Sequence, residues 1–317
     1  MKKILLMAVC IIMMSMTASA ISINKALLDH NGTVTLYDGL QEAINASSDG
    51  DVIYLTLGTF KGPFTVSKKI TIRGTGETSI IDGDVSISIP GAPKLTSPVL
   101  EALAVSGSVS VNSEVNDMIL RKSKIGSVTI GANVDGAVLD RCYITNALTL
   151  SSYIKGMTVV NSIVFGLNAN SGATNNTTFV NCNLYLSSCT NFSGTIINSI
   201  VRHLTSTTKT INSTVLLNTL IFTYYFYGDN NYNSSYKLSV GSSSVQQGCW
   251  TFPYLSDTST SYLQSNGYLG TDGTVVGIYG GDTPYTLEPS VPKVTSSCLD
   301  LDMEKKELNV KLTVSPQ

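Results

Sequence analysis

Along residues 120–221 a six-residue pattern of apolar and polar positions recurs, at 120–125, 139–144, 159–164, 179–184, 196–201 and 216–221. Each copy starts and ends on an apolar residue: Leu120/Ile125, Leu139/Ile144, Val159/Val164, Phe179/Leu184, Ile196/Val201 and Leu216/Ile221. The fourth position is always small: Ser123, Cys142, Ser162, Cys182, Ser199 and Thr219. Successive spacings in that small column are 19, 20, 20, 17 and 20 residues. A period near twenty marks a chain that coils on itself and stacks equivalent units.

Within a unit the small residue and the last apolar residue are two apart, which puts both on one face of an extended strand. The first apolar residue is three from the small one, an odd spacing that breaks the alternation and requires a bend. That bend falls on Lys122, Arg141, Asn161, Asn181, Asn198 and Asn218. Asparagine tolerates positive φ better than other residues except glycine, and stacked amides can bond from coil to coil. Asn161, Asn181, Asn198 and Asn218 are therefore expected to form a structural ladder. Runs such as Ser127-Val128-Thr129-Ile130 and Ala147-Leu148-Thr149-Leu150 supply a further face of each coil. Apolar residues do not recur at helical spacing, so the pattern predicts a parallel β-helix with coils of about 20 residues. Residues 38–46 are the exception, predicting a short capping helix with Asp38 as its cap and Leu40, Ala43 and Ile44 inward.

The segment after that helix runs Asp49-Gly50-Asp51-Val52-Ile53-Tyr54-Leu55, then Gly58-Thr59-Phe60, Phe64-Thr65-Val66, Lys69-Ile70-Thr71-Ile72-Arg73-Gly74 and Ile80-Ile81-Asp82-Gly83. Over about residues 38–85 this resembles the first coils of the pectin-lyase-like right-handed parallel β-helix superfamily. The resemblance implies an all-β right-handed helix of three sheets and, by association, carbohydrate-related function outside the cell. The run from Gly270 to Gly281, followed by Pro284-Tyr285, is similar to the ending of secreted bacterial β-helix proteins and carries no activity with it.

The first residues fit export: Lys2-Lys3, an apolar run over 4–14 and Ala18-Ser19-Ala20 have the order of a secretory leader. Residues 1–20 are read as that signal peptide, 21–236 as the β-helix domain and 237–317 as a less regular C-terminal capping segment ending in an alternating strand over 307–314. No stretch approaches the length of a transmembrane helix. Loss of Lys2 and Lys3 takes the formal charge from -2 to -4, which excludes a bulk electrostatic footprint for nucleic acid. Five cysteines remain after the leader, without the spacing of a zinc site, and no metal or other cofactor is expected. Cys142 and Cys182 stand two coils apart, about 10 Å at roughly 4.8 Å per coil, too far to bridge, and are read as buried thiols.

Superfamily hydrolases use clustered aspartates and lyases use stacked acids for Ca²⁺ beside a basic residue. Residues 142–236 carry only Lys155, Arg202, Lys209 and Asp229 as charged residues, too few for either arrangement. The charge cluster of the repeat is Arg121, Lys122, Asp140 and Arg141, the candidate catalytic set. Arg121 and Asp140 share a column one coil apart, and Lys122 stacks over Arg141, so two adjacent cations can take an acidic sugar. The plainer reading, an ion-pair ladder, is the favoured one. Tyr224, Tyr225, Tyr227 and Tyr232 are candidate glycan-stacking residues; the alternative is that these rings cover the open end of the stack. His30 and His203 show no carboxylate or cysteine partner in sequence and are read as surface histidines. The expected function is a secreted or cell-surface protein that is non-catalytic and binds glycan or serves a structural, adhesin-like role. The alternative is a polysaccharide lyase or glycoside hydrolase with a non-standard site. Polysaccharide or cell-surface glycan is the expected partner, and the sequence does not determine the oligomeric state.

Overall fold

A computed structural model describes residues 24–89, 99–112, 115–131, 133–151, 154–169, 176–186, 192, 194–203, 215–223, 231–239, 257–286, 293–302 and 307–315. They form a parallel β-solenoid with roughly 20 residues per coil. One sheet of 12 strands begins with β2 (Thr33–Tyr37), β1 (Ala26–His30) and β3 (Val52–Leu55). It continues coil by coil through Thr71–Arg73, Leu100–Glu101, Ile119–Arg121, Val138–Asp140 and Met157–Val160 to Asn231–Asn233. The other sheet has 13 strands, from Gly58–Lys61 to Tyr236–Ser239. The three sheets implied by the family resemblance are two here, because two faces of the coil share strands. Ala104–Val111 pairs with both Ser79–Asp82 and Val85–Ile87, and its register against Lys124–Ile130 shifts between Val105 and Ser108. Gly107 and Gly126 lie at this bend, where a Cβ on Gly126 would stand 2.5 Å from the Gly107 carbonyl oxygen. Only glycine fits such a close backbone approach.

The other corner follows each strand of the first sheet. Lys122, Arg141, Asn161, Asn181, Asn198 and Asn218 all take φ between 43° and 54°. Ala102 (φ 54°) and Ser234 (φ 51°) extend the column by one coil at each end. These two were not visible as repeat units, since neither residue type signals a left-handed bend.

Beyond the corner, the small column turns into the core. Each side chain donates back to the carbonyl two residues before it: Ser123 Oγ to Arg121 at 2.8 Å, Ser162 Oγ to Val160 at 2.7 Å and Ser199 Oγ to Ile197 at 2.6 Å. The same hydroxyls receive amides from the preceding coil, Cys142 N–H to Ser162 Oγ at 2.9 Å and Cys182 N–H to Ser199 Oγ at 3.0 Å. A small polar residue therefore satisfies the backbone where the corner interrupts the ladder. Cys142 and Cys182 are free and buried, and burial pushes each thiol up to about 12. Between the sheets the core is a single stack of aliphatic side chains, with Phe179 and Phe192 edge to face at 5.5 Å.

Helix α1 (Leu40–Ala46) buries Leu40, Ala43 and Ile44, as the sequence predicts. Its cap differs: Gly39 is the N-cap, with no side-chain hydrogen bond, and the exposed Asp38 pairs instead with Lys25. A second N-terminal element joins the helix. β1 and β2 form a hairpin over Asn31-Gly32, both at positive φ, and β1 pairs antiparallel with β3. At the other end, α2 (Asp257–Ser265) leads into turns that lie on the solenoid. The final strand Glu307–Ser315 pairs antiparallel with Lys293–Asp302.

Ser162→Ala removes the acceptor for the Cys142 amide inside the core, where an orphaned N–H costs about 1–3 kcal/mol. A loss of that size is expected in urea unfolding, whereas Cys142→Ser, which copies the neighbouring coils, is expected to cost much less.

Candidate functional site

On the outer face of the first sheet, strand register aligns Tyr54, Arg73, Glu101, Arg121 and Asp140 in one row. At about 4.8 Å per strand the row is roughly 19 Å long. Arg73 places Nε and Nη2 each 2.7 Å from Glu101 Oε2, and its guanidinium lies over the Tyr54 ring at 5.7 Å from the centroid. Arg121 reaches Glu101 at 3.8 Å on one side and donates from Nε to Asp140 at 3.1 Å on the other. Arg141 grips Asp140 with Nε at 2.8 Å and Nη2 at 2.7 Å. The predicted set Arg121, Lys122, Asp140 and Arg141 is thus brought together, and the Arg121–Asp140 pair is present. Glu101, Arg73 and Tyr54 belong to the same row; the missing signal for them was the coil at Ala102.

Asp140 and Glu101 are largely shielded and fully engaged by arginines. Each of these carboxylates is held by two arginines in charge-assisted contacts. Lys122 differs from its neighbours. Its corner backbone N–H donates to the Asp140 carbonyl at 2.8 Å, and burial followed by the charge of Arg141 holds its ammonium below the usual lysine range. The Asp140 bond holds Arg141 above its ordinary value, so Arg141 stays cationic. The corner of these two coils therefore presents a partly desolvated ammonium beside a fixed guanidinium.

The next coils of the same corner are covered. Residues 269–286 run back along the solenoid as a strap, and the column asparagines receive it. Asn198 accepts the Thr271 amide at 3.0 Å and donates to Thr271 Oγ1 at 3.1 Å, while its carbonyl accepts the Gly277 amide at 2.8 Å. Asn161 donates to the carbonyls of Ile278 at 3.2 Å and Gly280 at 2.8 Å. Asn181 lies beside Gly281 with its buried Oδ1 unpartnered. Val275 and Val276 pack on Ile200 and Leu220, and Ile278 and Tyr285 on Tyr143 and Ile163. Asn218 shares the backbone conformation of the column.

Tyr224, Tyr225 and Tyr227 lie outside the described residues, and Tyr232 is placed in the strand Asn231–Asn233. His203 ends the strand Ile200–His203. His30 has a partner that sequence did not disclose, Asp51, with Nδ1 2.8 Å from its buried Oδ1. The pairing depends on β1 lying against β3, which brings residues 21 positions apart together. Among the described residues no group of three or more His, Cys, Asp or Glu is arranged to hold a metal ion. No helix among them is long and apolar enough to cross a membrane. In comparison with known proteins the chain matches no family model, no curated protein and no solved structure.

Docking of the strap rests on Gly277, which takes φ 91° and whose Cβ would meet Asn183 Oδ1 at 2.6 Å and Ile200 Cδ1 at 2.8 Å. Gly277→Ala is expected to loosen the strap by about 1–3 kcal/mol. Hydrogen exchange at Gly277 and Ile278 should then accelerate, with amides of the inner coils such as Leu139 and Val159 unchanged.

Proposed function

We propose that this chain is an exported or cell-surface β-solenoid of the pectin-lyase-like kind that binds an acidic glycan without cleaving it. The reading rests on one observation: the row and its corner hold four cations, Arg73, Arg121, Lys122 and Arg141, against two carboxylates, Glu101 and Asp140. Four cations against two acids leave two positive charges in excess, on a chain whose overall charge is -2. A linear polymer laid along the row meets an aromatic face at Tyr54 and a cationic pair at Lys122 and Arg141. Uronate or sulfate groups match that pair, because guanidinium binds oxyanions bidentately and a partly desolvated ammonium strengthens with an anionic partner. Engagement of both acids by arginine supports binding over hydrolysis, which needs one free acid and one free base.

A second reading, β-elimination from a uronate, has one observation in its favour. The depressed Lys122 ammonium is the kind of group that serves as a general base, with Arg141 positioned to neutralise the substrate carboxylate.

Lys122→Asn separates these readings from a purely structural role. The charged lysine is disfavoured by the fold, a penalty present at neutral pH and relieved as pH rises toward the lysine range. Asparagine also takes the left-handed corner more cheaply. The variant should therefore be more stable by about 0.5–1 kcal/mol. It should also bind carboxylated or sulfated glycans about tenfold more weakly, the loss of roughly one charge-assisted bond. Arrays of purified mature chain should show salt-sensitive binding to acidic glycans, with no growth of unsaturated or reducing-end products. Product growth abolished in Lys122→Asn would favour elimination. Binding that the variant leaves unchanged, or no binding at all, would contradict both and leave a structural role.

A further inference from the structure

The large apolar side chains most exposed among the described residues all stand at the N-terminal end: Val34 at 57 %, Leu36 at 60 %, Tyr54 at 37 % and Leu57 at 62 %. Two of them belong to β2, an edge strand of the 12-stranded sheet. Natural sheets blunt such an edge with lysine, proline, a bulge or a covering segment. The strand Thr33-Val34-Thr35-Leu36-Tyr37 has no charge and no proline, its register with β1 is unbroken, and its first four residues are exposed.

Hairpin geometry fixes which backbone groups point outward. The two-residue turn Asn31-Gly32 makes His30 and Thr33 a hydrogen-bonded pair, and alternation then makes Leu28–Thr35 and Ala26–Tyr37 hydrogen-bonded pairs as well. Thr35 thus spends its N–H and C=O on β1, while those of Val34 and Leu36 face away from it. Val34 and Leu36 also share the outer face, and Leu36 continues across Leu27 to Tyr54 in one apolar row.

We propose that β2 pairs antiparallel with β2 of a second copy of this chain, with Thr35 opposite the partner's Thr35 on the two-fold axis. In that register Val34 stands opposite the partner's Leu36, and Leu36 opposite the partner's Val34, so the outward N–H and C=O groups form four hydrogen bonds. The same pairing gathers four exposed aliphatic side chains into one outer-face cluster between the two apolar rows. Thr33 meets the partner's Tyr37, and Gly32 meets the partner's Asp38, so no like charges oppose each other. Self-complementarity of this kind is what a two-fold interface requires, and it selects a copy of the same chain over an unrelated strand. A single five-residue strand about 17 Å long offers a contact well short of the roughly 800 Å² per partner of a stable interface. The pairing is accordingly a reversible, concentration-dependent dimer.

The test uses the full mature chain. Opposed residues of a non-hydrogen-bonded pair have Cα atoms about 4.5 Å apart, within the range of a disulfide. Thr35→Cys should therefore give a disulfide-linked dimer under mild oxidation at least about ten times faster than Val34→Cys, whose opposite residue is Leu36. The unmodified chain serves as background for its own cysteines. In sedimentation equilibrium the unmodified chain should shift from one copy toward two as concentration rises. Leu36→Lys, at a side chain already 60 % exposed, should remain monomeric with nearly the same unfolding midpoint. A chain monomeric at every concentration would overturn the proposal, as would equal cross-linking rates at positions 34 and 35. A dimer that survives Leu36→Lys would place the contact elsewhere and overturn it too.

Discussion

Everything in this fold hangs on one left-handed residue per coil. A strand that continued straight past Leu120, Leu139 or Val159 would leave the stack; the residue two places on, at φ near 50°, turns the chain so that the next small side chain enters the core. The conformation costs an ordinary L-residue about 1–2 kcal/mol, and asparagine less. Asn occupies four of the eight described corners, from Asn161 to Asn218. The corner also breaks the backbone ladder locally. A hydroxyl or thiol in the small column closes that break, which explains why Ser, Cys and Thr stand there rather than Ala.

The same column has two uses along its length. Where it carries asparagine, at Asn161 and Asn198, neutral amides meet the backbone of the strap over 269–286 and seal the corner. Where it carries Lys122 and Arg141, the corner is cationic, Asp140 is engaged by Arg121 and Arg141, and the strap's bonds lie on other coils. A residue chosen for the corner alone would be asparagine at all six repeat positions. Two cations in their place, one partly desolvated, run against local preference, and such departures concentrate at functional sites.

The solenoid, the period, the corner positions, the inward small column and the inward face of α1 were legible because each depends on residues within one coil. Three features were not, for physical reasons. Ala102 begins a coil whose neighbour across residues 90–98 breaks the period, so Glu101 and Arg73 did not appear as members of the Arg121–Asp140 row. The β1–β2 hairpin carries an Asn-Gly turn between alternating strands, a local signal weaker than the repeat, and the His30–Asp51 pair forms only once that hairpin lies against β3. Asp38 suits an N-cap by type, but Lys25 competes for its carboxylate once β1 lies alongside. The strap was beyond reach for a different reason: its bonds to Asn161 and Asn198 join residues 73 to 119 positions apart.

Asn218 offers the most direct test of the corner, since its side chain is only half-buried and the strap's described bonds go to other residues, Asn161 and Asn198 among them. The measurement is the urea midpoint of Asn218→Gly and Asn218→Val against the unmodified chain. A left-handed corner predicts that glycine leaves the midpoint unchanged or higher and that valine lowers stability by at least about 1–2 kcal/mol. Valine tolerated as well as glycine would mean that the chain turns there by some other conformation, and the account of the coil would fail.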